Sequence, residues 1–168
     1  MNNIYLIGFM GAGKTAVSKA LKKKIGWKLE DTDDMIVKRV GMSIPEIFEQ
    51  KGEDYFRKVE REVVASLTKE KNVIVSCGGG VATFEANREE IKKGGTVIFL
   101  SATAKTILSR VKRNNRRPLL EGKKTEKDIQ NFLDERMPSY EKARDYTIAV
   151  DGKTLDEIAE EILCHIDL

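Results

Sequence analysis

Gly8-Phe9-Met10-Gly11-Ala12-Gly13-Lys14-Thr15 matches G-x-x-x-x-G-K-[ST], and the residues around it decide what the match means. Before it, residues 4–7 are a short apolar run of strand character. After it, residues 14–24 carry Val17, Ala20 and Leu21 at helical spacing. A glycine-rich turn between a strand and a helix lets consecutive backbone N–H groups converge on phosphate oxygens, with the positive end of the helix dipole behind them. In that context Gly11, Ala12, Gly13, Lys14, Thr15 and Ala16 form a nucleotide cradle. Lys14 reaches the β/γ-phosphates and Thr15 offers a hydroxyl to Mg²⁺. The stretch therefore predicts a nucleoside triphosphate bound with magnesium.

Outward from this loop, strand-like and helix-like patterns alternate to the end of the chain. Residues 27–30, 73–76, 97–100 and 146–150 read as further strands, the middle two compact runs of mostly β-branched or apolar residues, as suits central parallel strands. Helical patterns cover 33–40, 43–50, 54–67, 84–93, 102–113, 126–142 and 155–166. Ser43-Ile44-Pro45-Glu46 supplies an N-cap, an early proline and an acidic first turn, while Gly94-Gly95 is read as a helix stop. This alternation predicts an α/β fold of three layers, a doubly wound parallel five-stranded sheet with helices on both faces. Charge is dense and periodicity poor across 112–125, which includes Arg116-Arg117-Pro118. That stretch is either a solvated loop or, in a phosphate-handling enzyme, a mobile lid.

Size and composition agree with one domain over 1–168. A chain of this length buries about 70% of the surface its unfolded form exposes. Apolar residues at 40% and charged residues at 34% are ordinary for a soluble globular protein. No apolar run approaches the ~18–20 residues of a membrane span. The start, Met1-Asn2-Asn3-Ile4, has no charged region or cleavage site of a secretory signal, so a cytoplasmic location is expected. A net charge of +3 suits small anionic ligands and is too mild to predict nucleic acid. Cys77 and Cys164 belong to no disulfide or zinc pattern and read as reduced, semi-buried thiols. The single His165 reads as a surface residue in the last turn of a C-terminal helix.

Further segments carry chemistry. Asp31-Thr32-Asp33-Asp34 follows the second strand, and strand alternation would put Asp31 and Asp33 on one side, overlooking the crevice at the carboxyl end of the sheet. One carboxylate can then hold the magnesium shell and the other meet a substrate hydroxyl. The plainer alternative is an acidic helix start capped by Asp33 or Asp34. The third strand ends in Gly78-Gly79-Gly80 where a motor ATPase or GTPase usually carries an acid. Three glycines expose backbone N–H groups to a ligand, whereas a tight turn needs only one or two. Arg57 lies between Tyr55-Phe56 and Glu60, and Arg136 stands four residues before Tyr140. Either arginine alone would more often be a surface residue. Arg117, followed by a rigid proline, can swing onto a transferring phosphate.

Together the P-loop, Asp31-Thr32-Asp33, Phe56-Arg57-x-x-Glu60, the glycine triplet, Arg117-Pro118-Leu119-Leu120 and Arg136 with Tyr140 resemble the shikimate kinases, in order and spacing, over nearly the whole chain. The resemblance implies transfer of the γ-phosphoryl of ATP to the 3-hydroxyl of shikimate, on the route to chorismate and the aromatic amino acids. It implies that Asp33, Arg57, Gly78, Gly79, Gly80 and Arg136 hold shikimate, that Arg117 closes over ATP, and that Arg110 and Lys153 stand on the adenine side. Cys77 occupies a position where other small residues are common. The chemistry of these residue types agrees. Two guanidinium groups suit a carboxylate, and Asp33 can fix the attacking oxygen or take its proton. Lys14, Mg²⁺ through Thr15 and Asp31, and Arg117 neutralise the developing charge.

Rival readings are a gluconate or nucleoside-monophosphate kinase of similar architecture, and a non-catalytic ATP- or RNA-binding module using the basic stretch. Lys14, Thr15 and the two carboxylates argue against a dead enzyme. The expected partners are ATP and shikimate, acting on a monomer, with neither nucleic acid nor membrane.

Overall fold

Five strands form one sheet in the computed structural model, which describes residues 2–113 and 125–168, with the main chain alone at 111–113. The strands are β1 (Asn3–Ile7), β2 (Lys28–Asp31), β3 (Val73–Ser76), β4 (Gly95–Ser101) and β5 (Tyr146–Ala149). They lie side by side in the order β2-β3-β1-β4-β5, all pairings parallel. The helices are α1 (Lys14–Ile25), α2 (Thr32–Val40), α3 (Ile44–Lys51), α4 (Glu53–Leu67), α5 (Glu85–Gly94), α6 (Ala104–Arg113), α7 (Glu126–Ala143) and α8 (Leu155–Leu163).

Alternation along the strands sorts their side chains into two cores. Ile4, Leu6, Ile74, Ile98, Leu100 and Ile148 meet Val17 and Leu21 of α1 and Ile158 and Ile162 of α8. Tyr5, Ile7, Val75, Val97 and Phe99 meet the apolar faces of α2, α3, α4, α5 and α7 through Ile36, Ile47, Val63, Ile91 and Tyr140. Three layers result, as the sequence predicts. The helix that leaves β1 packs on one face, and the helix that leaves the neighbouring β3 packs on the other. Adjacent connections that part in this way open a crevice beyond the carboxyl ends of the two strands. The P-loop and the glycine triplet both start at that edge.

Several boundaries differ from the sequence reading, each for a local reason. The chain becomes helical at Thr32, so strand alternation does not orient Asp33. Asp31 is instead the extended N-cap of α2, its carboxylate accepting from the Asp34 amide at 3.1 Å. Gly94-Gly95 is not simply a helix stop, because Gly95 opens β4. A Cβ there would strike the backbone of Asn3 on the neighbouring strand. The last helix ends at Leu163, and His165 lies beyond it, stacked on Tyr146 with centroids 4.2 Å apart. Neither thiol is semi-buried: Cys77 is buried and Cys164 exposed. The Ser43 cap and the early Pro45 of α3 are as expected. The stretch 114–124, with Arg117 and most of the expected lid, lies outside the described residues. Among those described, no helix is long and apolar enough to cross a membrane.

Candidate active site

The P-loop joins β1 to α1 and forms one end of a cleft of about 340 Å³. At its turn Gly13 adopts the left-handed conformation (φ 96) that favours glycine, and as N-cap it brings no side chain to the first amides of α1. Those amides keep their hydrogen-bonding capacity for an anion, in the field of the helix N-terminus. Lys14 Nζ donates to the carbonyl of Gly8 and, at 3.1 Å, to that of Phe9. Arg110 of α6 reaches over the loop and donates to the Gly11 carbonyl at 3.2 Å.

Beyond the P-loop the same cleft is lined by Asp31, Asp33, Arg57, Glu60, the glycine triplet and Arg136. Four elements supply them. The β2–α2 junction brings Asp31 and Asp33, and the Thr32 hydroxyl between them accepts the Gly78 amide at 2.8 Å. That bond ties the second strand's exit to the third's. It also occupies one of the three glycine amides that the sequence reading left exposed to a ligand. Arg136, on α7, donates to the Gly79 carbonyl at 2.7 Å, and Tyr140 one turn on donates to the same oxygen at 3.4 Å. Arg57 is not a loose surface arginine. Its Nη1 donates to both carboxylate oxygens of Glu60, at 3.1 and 3.2 Å, and Glu60 is buried. The guanidinium lies over the rings of Phe56 and Phe84, 5.0 and 5.1 Å from their centroids. Its Nε is buried without a hydrogen bond; Glu53 is an ion-pair partner only at 3.5 Å.

Burial shapes the protonation of this cleft. It raises the pKa of Asp31, against the pull of the Asp34 amide and the weaker attraction of Lys14. It raises Glu60 likewise, against the Arg57 guanidinium. The Cys77 thiol, buried at the cleft wall, is pushed far up by burial and stays protonated. A raised carboxylate is one whose charge lacks solvation, so a cation placed beside it recovers free energy.

Of the residues singled out in the sequence, Gly11, Gly13, Lys14, Thr15, Ala16, Asp31, Asp33, Arg57, Gly78, Gly79, Gly80, Arg110 and Arg136 line this one cleft. Two do not. The Ala12 methyl is buried in the α1–α8 core, and its amide donates to the Phe9 carbonyl at 3.1 Å, so it serves the loop's own fold. Lys153 is paired with Glu161 at 2.8 Å and is absent from the lining. Sequence reasoning quoted Glu60 without giving it a role and passed over Phe84. The i,i+3 spacing of Arg57 and Glu60 on one helix was the available signal.

Comparison with known proteins places the chain among close relatives. A family profile described as shikimate kinase matches residues 10–167. The chain is 43% identical over 163 residues to the shikimate kinase of Thermodesulfovibrio yellowstonii, covering 97% of this chain and 94% of that one. It is similar to the structure of the Acinetobacter baumannii shikimate kinase in complex with shikimate, at 37% identity and a TM-score of 0.89, covering 97% of this chain and 91% of the other. A Sinorhizobium meliloti gluconokinase shares the fold alone, at 15% identity, a TM-score of 0.60 and coverage of 97% and 90%.

Proposed function

The chain belongs to the shikimate kinase family, and from that premise we propose which of its residues perform the family's reaction. The activity is transfer of the γ-phosphoryl of ATP to the 3-hydroxyl of shikimate, giving shikimate 3-phosphate and ADP. The acceptor oxygen bonds to phosphorus, the bond from phosphorus to the β-γ bridging oxygen breaks, and the hydroxyl proton is released. One observation carries the residue assignment. A phosphate cradle ending in Lys14 and Thr15 faces, across a single cleft, two arginines and a carboxylate suited to a small hydroxy acid.

The triphosphate lies along Gly11 to Ala16 with Lys14 on its terminal groups, and Arg110 flanks it from α6. Arg57 and Arg136 take the carboxylate of shikimate through charge-assisted hydrogen bonds. Asp33 meets the ring hydroxyls and orients the 3-oxygen for in-line attack, accepting its proton late because the transition state is loose. Thr15 and Asp31 are the oxygen donors for Mg²⁺. The raised pKa of Asp31 supports this, since it marks a carboxylate that gains from a cation. Two protein oxygens are a usual share for magnesium, which keeps water and substrate phosphates around it. When bound, the ion offsets charge on the phosphoryl oxygens. Arg117 and Lys153 remain in the proposal on their sequence positions, the first meeting the transferring phosphoryl and the second the adenine side.

The test is ADP formation by purified protein with shikimate, with gluconate, with nucleoside monophosphates and with no acceptor. Shikimate-dependent turnover is expected. Equal or faster turnover with another acceptor would replace the substrate assignment.

A further inference from the structure

The triplet Gly78-Gly79-Gly80 has no backbone need for glycine. None of the three has a φ in the left-handed region, and part of their main chain is already tied down. The Gly78 amide is held by Thr32, the Gly78 carbonyl accepts from Val81, and the Gly80 carbonyl accepts from Thr83, the last two at 3.1 Å. What each position lacks is room. A Cβ on Gly78 would lie 2.5 Å from Asp33 Oδ1, with Cγ and Oδ2 at 3.1 and 3.2 Å. One on Gly79 would lie 3.0 Å from Arg136 Nη1. One on Gly80 would lie 2.5 Å from Arg57 Nη1, with Cζ and Nη2 both at 3.0 Å. The three glycines thus map one-to-one onto the three side chains assigned to shikimate.

The geometry points to the triplet as a spacer: each missing side chain sets the position of one polar tip, so that Gly78, Gly79 and Gly80 are positioning residues for Asp33, Arg136 and Arg57 respectively. This rests on the assignment of those three residues to the acceptor. The atoms a methyl would meet are the ends of side chains, not backbone. Relief therefore comes from moving the tip while the main chain stays in place, and for Arg57 the movement also loosens its pairing with the buried Glu60. A backbone that alanine can adopt gains slightly from it, through the entropy of the unfolded chain. The cost falls on function, because displacing a substrate-positioning group by about 1 Å can lower activity by about 10²-fold.

The pairing makes the three alanine variants differ in kind. Gly80→Ala should act as a weakened Arg57, raising the KM for shikimate by about 10- to 100-fold with ATP unaffected. Gly78→Ala should act as a displaced Asp33, with the larger loss, of similar size, in kcat. Gly79→Ala meets a single atom at 3.0 Å and should be the mildest, at about 10-fold or less. Crystal structures of the ligand-free variants are the independent readout. The Arg57 guanidinium in Gly80→Ala and the Asp33 carboxylate in Gly78→Ala should be shifted, with the main chain at 78–80 in place. Thermal midpoints of Gly78→Ala and Gly79→Ala should stay within about 3 °C of wild type. Unmoved tips, a displaced loop, a collapsed midpoint in either of these two or failure to fold would each overturn the spacer role, because the glycines would then serve the backbone or contact the ligand directly. If wild-type protein does not use shikimate, the functional assignment falls by itself, while the crystal structures still decide the spacer.

Discussion

Replacing Asp31 by asparagine and by alanine separates two roles that one side chain performs. Its carboxylate caps α2 by accepting the Asp34 amide at 3.1 Å, and it stands in the cleft as a proposed oxygen donor to Mg²⁺. Asparagine caps a helix about as well as aspartate, whereas alanine loses about 1 kcal/mol. In a chain of 168 residues, 1 kcal/mol moves the thermal midpoint by about 3 °C. The asparagine variant should therefore melt about 3 °C above the alanine variant. Charge acts in addition. Burial raises the Asp31 pKa and outweighs the opposing Asp34 amide and Lys14, so ionising this carboxyl costs stability once the pH passes its folded-state value. Asparagine escapes that cost and should be at least as stable as wild type at neutral pH. Its advantage should shrink as the pH falls through the raised pKa, where the wild-type carboxyl becomes neutral as well. Turnover should fall in both variants, and the Mg²⁺ concentration for half-maximal rate should rise by about 10- to 100-fold. Scanning calorimetry at several pH values, with ADP-coupled kinetics over a magnesium series, reads both roles. Equal midpoints for the two variants would refute the cap, and an unchanged magnesium dependence would refute the metal role.

Lys14→Ala should abolish turnover with a native circular dichroism spectrum, since Lys14 donates to loop carbonyls and supports little core; near-normal turnover would remove it from the reaction. Arg57→Ala or Arg136→Ala should weaken shikimate by about 30- to 4,000-fold, the effect of losing one partner of a desolvated charge pair. Calorimetric titration giving equal losses for ATP would show that these arginines do not serve the acceptor. Asp33→Asn keeps shape and one acceptor oxygen. A fall in kcat of about 10²–10⁴ with shikimate affinity kept would make Asp33 a general base, whereas a sharp rise in Kd with a modest fall in kcat, the outcome expected here, makes it a positioner. Phe84→Leu removes one of the two rings that face Arg57. The loss of a cation–π contact of about 0.5–2 kcal/mol predicts about 2- to 30-fold weaker shikimate binding. Phe84 is 38% exposed, so the melting point should hardly change, and a large drop in it would show a structural role.

The sequence by itself determined the architecture and the nucleotide end of the site. A P-loop is contiguous, and its amides, lysine and threonine act from one turn of chain. Alternating periods of two and 3.6 residues are likewise local, so five strands and their helices were legible, though not their ends. The acceptor end is different, because its parts come from distant segments that meet only when the sheet closes. Thr32 takes the Gly78 amide across 46 residues, and Arg136 donates to the Gly79 carbonyl across 57. Asp31 turned out to be a helix cap because the chain leaves β2 directly into α2, a change of direction that strand alternation does not encode. Glu60 was visible as a letter in a motif, but its burial against Arg57 depends on how α4 packs beneath the triplet. The glycines show the limit most plainly. Three in a row can mean a turn, an exposed set of amides or empty space, and only the positions of Asp33, Arg136 and Arg57 reveal that space is what the site requires.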